Sequence, residues 1–444
     1  MHSVFLQVLH SPPSPLLVIP FVALLLMIAT GPLFFPSLWH RYYKHISLCI
    51  GVFVGGYYIV GRHETMLVAE TFAEYISFIS LLLALFVASG GIYIFADVES
   101  KASVNIVFLL FGAVLANFIG TTGASVLLIR PFMRVNRYRL KPYHIVFFIF
   151  CVSNLGGLLT PIGDPPLFMG FLKGVPFFWT LEHLWKEWLL ALGLLSIVFY
   201  LFEKRNTRFD DVDVSAHYTG KVIIEGKRNI FWLALIIATV FIDPNTIDGV
   251  PYLDLHGKKV SYIRELLQCG IAAVCYRFAS KKAMDANGFD AEPIREVGFL
   301  FVGIFMSMIP ALQLLSGLGT QDGVSLSPGM MYWGAGIFSS MLDNAPTYVN
   351  FFTLTLSMFG FDAQQVRDVT AFLAGDQVKY LAAVSTGSVF FGAMTYIGNG
   401  PNFMVKAIAE QSGIRMPSFF TYIFRYSIPV LLPILLLVWL LFYV

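Results

Sequence analysis

Charge is what this chain lacks. Only 13% of its 444 residues are Asp, Glu, Lys or Arg, while 57% are hydrophobic. A soluble globular protein carries about 25% charged residues, so this shortage excludes an ordinary soluble domain. Mean hydropathy is +0.73, and several apolar runs exceed the roughly 20 residues that a helix needs to cross a bilayer. The strand-wise alternation of an outer-membrane barrel is missing. The expected class is an all-α polytopic membrane protein. Net charge is only +2, which points to no acidic partner and no nucleic acid. Cysteine is scarce too: Cys49, Cys151, Cys269 and Cys275 lie in apolar segments without CxxC spacing, so they read as small buried residues and not as ligands or disulfides. HExxH, GxSxG and phosphate-binding glycine loops are absent, which leaves no enzymatic motif and no cofactor site. The start, MHSVFLQVLHSPPSPLLVIPF, has no basic residue before its apolar run and no small-residue cleavage site. It reads as a tail before a retained first helix.

Apolar runs are present near 16–35, 46–61, 72–96, 102–129, 143–178, 187–203, 229–243, 261–280, 297–315, 329–358, 379–405 and 419–443. Four contain turn-forming residues: GTTGAS at 120–125, TPIGDPP at 160–166, LDNAPT at 342–347 and IGNGPN at 397–402. Lys101 precedes the segment 102–129, and Arg130, Arg134, Arg137, Arg139 and Lys141 follow it. Positive charge at both ends places both ends on the cytoplasmic side, so a re-entrant hairpin is expected, with a second at 329–358 entering from the opposite side. This threading puts about 20 of the 29 Lys and Arg residues inside, as the positive-inside rule requires. About ten transmembrane helices plus two hairpins result.

SNLGGLLTPIGDPPLFM at 153–169 aligns without gaps with SVFFGAMTYIGNGPNFM at 388–404, with eight identical positions. The charge count runs the two copies in opposite directions. Interrupted apolar segments at matching places in opposed halves point to a transporter binding site. The expected organisation is a first inverted repeat, 1–203, with hairpin 102–129 and broken helix 143–178; a cytoplasmic linker, 204–228; and a second repeat, 229–444, with hairpin 329–358 and broken helix 379–405.

At the breaks, Gly163, Pro165, Pro166, Pro346, Gly398, Gly400 and Pro401 open the backbone. Freed amides and carbonyls cost several kcal/mol in hydrocarbon, so the breaks must line protein or a cavity. Asp164 and Asp343 are the aspartates deep in these elements. An acid there costs about 2.5–3.5 kcal/mol on insertion scales and commonly marks an ion path. Hydroxyls, amide oxygens and carboxylates suit Na+, whereas the amides at a half-helix start suit an anion. The oxygen donors are Thr121, Thr122, Asn154, Thr160 and Asp164 in one half, and Asp343, Asn344, Thr347, Thr395 and Asn399 in the other. Bland roles compete: the threonines could bond a carbonyl one turn back, and the aspartates could cap half-helices. Lys173 and Lys406 follow the breaks and are expected to snorkel to the membrane surface.

NLGGLLTPIGDPP, the TTGAS turn followed by LLIRP, SSMLDNAPT and YIGNGPNF resemble the ion-transporter superfamily, and within it NhaD-type sodium/proton antiporters and citrate-transporter-like (CitMHS-like) proteins, over nearly the whole chain. The resemblance implies an inverted-repeat homodimer in the inner cell membrane whose hairpin tips and helix breaks form a central sodium and substrate site. On this chain that site comprises the ten donors just named, with Asp164 and Asp343 as ligands of transported Na+. One departure stands out. Dicarboxylate members carry Ser-Asn-Thr at both tips, where this chain has Thr121-Thr122-Gly123 and Asp343-Asn344-Ala345. The additional acid favours Na+/H+ exchange over Na+-coupled uptake of citrate or another dicarboxylate. Arsenite or another anion is a further alternative. An intramembrane aspartyl protease also needs two embedded acids, but Asp164 and Asp343 lack the YD and GxGD contexts of those enzymes.

Overall fold

The computed structural model describes residues 12–206, 218–244, 247, 249–255, 258–319 and 326–444. The tail before residue 12 and residues 207–217 of the expected linker lie outside the described residues. The apolar runs become helices: α1 (Ile19–Phe34), α2 (Pro36–Gly56), α3 (Thr65–Gly90), α4 (Ala102–Val135), α5 (Pro142–Cys151), α6 (Pro165–Leu172), α7 (Trp179–Asn206), α8 (Lys227–Val240) and α9 (Ile263–Phe278). They continue with α10 (Lys281–Asn287), α11 (Glu292–Gly319), α12 (Pro328–Met341), α13 (Asn344–Met358), α14 (Val366–Leu373), α15 (Val378–Phe391), α16 (Gly400–Gln411), α17 (Phe419–Tyr422) and α18 (Leu432–Phe442). Among the described residues, eight helical segments are long and apolar enough to cross a membrane. The chain is an all-α polytopic membrane protein. The runs at 229–243 and 261–280 give helices of only 14 and 16 residues, because polar segments bound both. The short helices α10 and α14 lie outside every apolar run used above.

Two short antiparallel ribbons accompany the helices. β1 (Tyr93–Asp97) pairs with β2 (Lys221–Glu225), Asp97 opposite Lys221, and β3 (Tyr252–Leu255) pairs with β4 (Lys258–Ser261). The described end of the linker is therefore a strand strapped beneath α4. The consecutive β-branched residues Val222, Ile223 and Ile224 suit this role.

The chain reverses direction in two helical hairpins. Residues 105 and 136 would stand about 46 Å apart on a straight helix, yet Asn105 Nδ2 donates to Asn136 Oδ1 at 2.7 Å and Asn136 Nδ2 donates to Asn105 Oδ1 at 2.9 Å. The chain reverses at Gly120, whose φ of 77° lies in the region that glycine alone enters readily. The second hairpin turns at Leu342–Asp343 between α12 and α13, bringing the rings of Phe338 and Phe351 to 6.0 Å.

Small residues set how closely the helices approach, as expected where lipid removes the hydrophobic drive to associate. A methyl added to Gly51 on α2 would lie 3.2 Å from the Cα of Gly303 on α11, and one on Gly387 of α15 only 2.5 Å from the Tyr332 carbonyl on α12. The segment Pro142–Leu159 is the most enclosed of the apolar spans, 89% buried. Irregular backbone at membrane depth is thus surrounded by protein, as its unpaired groups require.

Candidate functional site

Both broken segments are built alike. α5 is followed by a tight 3-10 turn, Leu155–Leu159, a non-helical turn over 160–164 and then α6; α15 is followed by the 3-10 turn Gly392–Met394, a bend over 395–399 and α16. Thr160 Oγ1 donates to the Asn117 carbonyl at 2.6 Å and accepts from the Gly163 amide at 3.1 Å. Thr395 Oγ1 donates to the Ser340 carbonyl at 2.6 Å and accepts from the Gly398 amide at 3.1 Å. These two threonines therefore pin each break to a hairpin. Gly163 and Gly398 are required by close approach: a methyl on either would sit 2.2 or 2.7 Å from the Gly157 or Gly392 carbonyl oxygen. Pro165, Pro166 and Pro401 fall in the first turn of α6 or α16, where a missing amide hydrogen is not needed. Pro346 occupies the corresponding turn of α13, and Gly400 begins α16.

Asp164, fully buried just before α6, is the centre. Its Oδ1 accepts from Thr121 Oγ1 at 2.7 Å and from Asn399 Nδ2 at 3.0 Å, and its Oδ2 accepts from Asn344 Nδ2 at 2.6 Å. Thr121 opens the returning half of the first hairpin, Asn344 opens α13, and Asn399 immediately precedes α16. Four helix starts, each carrying partial positive charge, thus converge on one carboxylate. All three side-chain donors are neutral. Asn344 Oδ1 is buried without a hydrogen-bond partner, leaving an acceptor oxygen beside Asp164.

Asn154 links the halves: its Nδ2 donates to Asn402 Oδ1 at 2.7 Å, and its Oδ1 accepts from Asn399 Nδ2 at 3.2 Å. Asp343 is half-buried, and its Oδ1 accepts from the Ala345 amide at 3.0 Å; this is a helix cap. Thr347 Oγ1 donates to the Asp343 carbonyl at 2.9 Å. Thr122 lies half-buried beside Thr121. The structure therefore gathers Thr121, Asn154, Asp164, Asn344 and Asn399 into one network, whereas Thr160, Thr395, Asp343 and Thr347 bond backbone around it.

Two residues were missed. Asn117 donates to the Gly156 carbonyl at 2.7 Å and accepts from the Leu159 amide at 2.8 Å. Asn402 donates to the Gly392 and Thr395 carbonyls at 2.7 and 2.9 Å. Each amide satisfies the opened backbone of one break. Their signal was available: an asparagine within an apolar run usually marks function or buried polar packing. Lys173 corrects an expectation. It does not snorkel but is 1% exposed, with Nζ 3.3 Å from Glu74 Oε1 and 3.1 Å from Gln364 Oε1. Glu74, on α3, supplies an ion-pair partner that proximity in sequence could not reveal. Lys406 does stay near the surface, beside Glu410.

A protein-family model described as "Putative citrate transport" matches residues 11–443. No curated protein matches the chain.

Proposed function

The chain belongs to this citrate-transport family, and from that premise we propose that it is a secondary active transporter exchanging Na+ for H+ by alternating access. It is an integral membrane protein of a transporter family. One observation carries the finer reading: the place where converging helix starts would receive an anionic substrate is taken by the chain's own Asp164, bonded to Thr121, Asn344 and Asn399.

The proposed chemistry is competition. Protonated, the Asp164 carboxyl is neutral and needs no counter-charge. Ionised, its two oxygens together with the orphaned Asn344 Oδ1 provide hard donors for Na+, and a flip of the Asn399 amide would add a fourth. Proton and Na+ cannot occupy the same oxygens, so a site opening to alternate sides exchanges one for the other. The paired construction of the two breaks supports inverted repeats spanning 1–203 and 229–444, with the hairpins re-entering from opposite faces. Asp343, as a cap, tunes the α13 start that carries Asn344. A homodimer in the inner cell membrane completes the reading.

Na+-coupled uptake of citrate or a similar carboxylate is the second reading. The family description favours it, and so do the helix starts, which become available to an anion once Asp164 is protonated.

The deciding experiment reconstitutes the protein in liposomes holding a pH-sensitive dye under an imposed proton gradient. Dequenching on addition of Na+ or Li+ alone is the expected result. Silence with cations but Na+-dependent uptake of labelled citrate would replace exchange by symport.

A further inference from the structure

Away from the central network, a cavity of about 630 Å³ opens between β1, the last turns of α4, α10 and the bend after α16. Arg130 and Arg134 line it from α4, one turn apart on the same helix face, and Arg137 lines it from the turn that follows the helix. Asp97 is the one acid in this lining, and it is already engaged: its Oδ1 accepts from Arg137 at 2.5 Å, and its Oδ2 accepts from Thr219 Oγ1 at 2.6 Å. Among the described residues, neither Arg130 nor Arg134 has a carboxylate within 4.0 Å. Arg130 is nonetheless half-buried. Arg134 is exposed at the cavity mouth, its guanidinium carbon 4.5 Å from the centre of the Phe95 ring.

Two like charges held one turn apart, one partly desolvated and one stacked, repel each other unless an anion joins them. A half-buried guanidinium such as that of Arg130 has far less freedom to reach into water than an exposed lysine. A guanidinium fork matches a carboxylate or phosphate edge with two parallel hydrogen bonds. The volume falls within the range of small-ligand sites. We infer that Arg130 and Arg134 form a second binding site, distinct from the Asp164 network, for an oxyanion carrying two or more negative charges. Two sources share that chemistry: a soluble polycarboxylate or phosphate, and the headgroup of an anionic lipid, which basic pockets at membrane surfaces also hold.

The site does not depend on which cargo the transporter carries. Since Arg130 lies on the helix that returns from Thr121, an anion bridging it to Arg134 braces the base of the hairpin whose tip contacts Asp164. Calorimetric titration of citrate and of inorganic phosphate into the full-length protein, held in phosphatidylcholine nanodiscs at low ionic strength, tests the assignment. At least one anion should bind wild type and the Asp164→Asn variant equally, which separates this site from the central one. Arg130→Gln/Arg134→Gln should weaken that binding roughly 10- to 100-fold, the size of losing one or two charged hydrogen bonds. Arg130→Lys/Arg134→Lys, which keeps charge but loses the fork, should fall between the two and controls for folding. Replacing part of the lipid with phosphatidylglycerol then identifies the source: competition with the soluble anion assigns the site to headgroups, and an unchanged affinity assigns it to the soluble ion. No binding of either anion in phosphatidylcholine, or equal binding by wild type and the glutamine variant, would overturn the inference.

Discussion

A single carboxylate surrounded by neutral donors sets the residue-scale predictions. Asp164→Asn keeps the shape but removes both the titrating group and the charge. Cation-dependent dequenching in liposomes should vanish in this variant while its far-ultraviolet dichroism stays that of wild type; full activity at saturating Na+ would refute the role. Asn344→Ala removes a donor to Asp164 and the unpartnered oxygen beside it. It should raise the Na+ concentration for half-maximal exchange about tenfold, the equivalent of one modest interaction, with less effect on maximal rate. Lys173→Met removes the ammonium that contacts Glu74 in the interior. Removing one member of a buried ion pair costs about 3–5 kcal/mol, so thermal unfolding in detergent should show a large loss, which Glu74→Gln in the same chain should partly restore.

At the scale of elements, the breaks work because glycine carbonyls and amides meet without side chains between them. A methyl at Gly163 would stand 2.2 Å from the Gly157 oxygen, and backbone cannot swing aside as a flexible side chain would. Gly163→Ala should therefore destabilise by about 1–3 kcal/mol, the usual toll of overpacking, and should displace the Thr121 amide from the Gly163 carbonyl that it contacts at 2.8 Å. A thermal scan and a transport assay should fall together. If Gly163→Ala is as stable and active as wild type, the two loops are not held in contact.

For the molecule as a whole, the strap formed by β1 and β2 ties the stretch after residue 217 to the base of the first hairpin. Hydrogen bonds from Thr219, followed by the Arg137 contact, hold the Asp97 carboxyl down at about 2, below its ordinary 3.8. A depressed carboxylate contributes stability that is complete above its unfolded value and disappears as pH falls through the folded one. The stability gap between wild type and Asp97→Ala should thus be constant from about pH 8 to about pH 5 and close between about pH 4 and pH 2. A gap that changes near neutral pH would mean that another group governs the strap.

Much of this protein follows from the order of its residues. Low charge and long apolar runs commit it to the bilayer, since hydrocarbon tolerates only backbone that bonds to itself. Gly120 and the pair Leu342–Asp343 mark the reversals because glycine and a capping aspartate carry local conformational signals. TPIGDPP and YIGNGPN mark the breaks for the same local reason. Which polar side chains meet was not decided locally. Asp164 and Asn344 stand 180 positions apart in the chain, and Lys173 and Glu74 stand 99 apart, so nothing in either neighbourhood specifies the partner. In sequence Asp164 and Asp343 are each an acid at a break. Only the folded chain separates them, because four helix starts converge on one while the other spends its oxygen on the amide of Ala345.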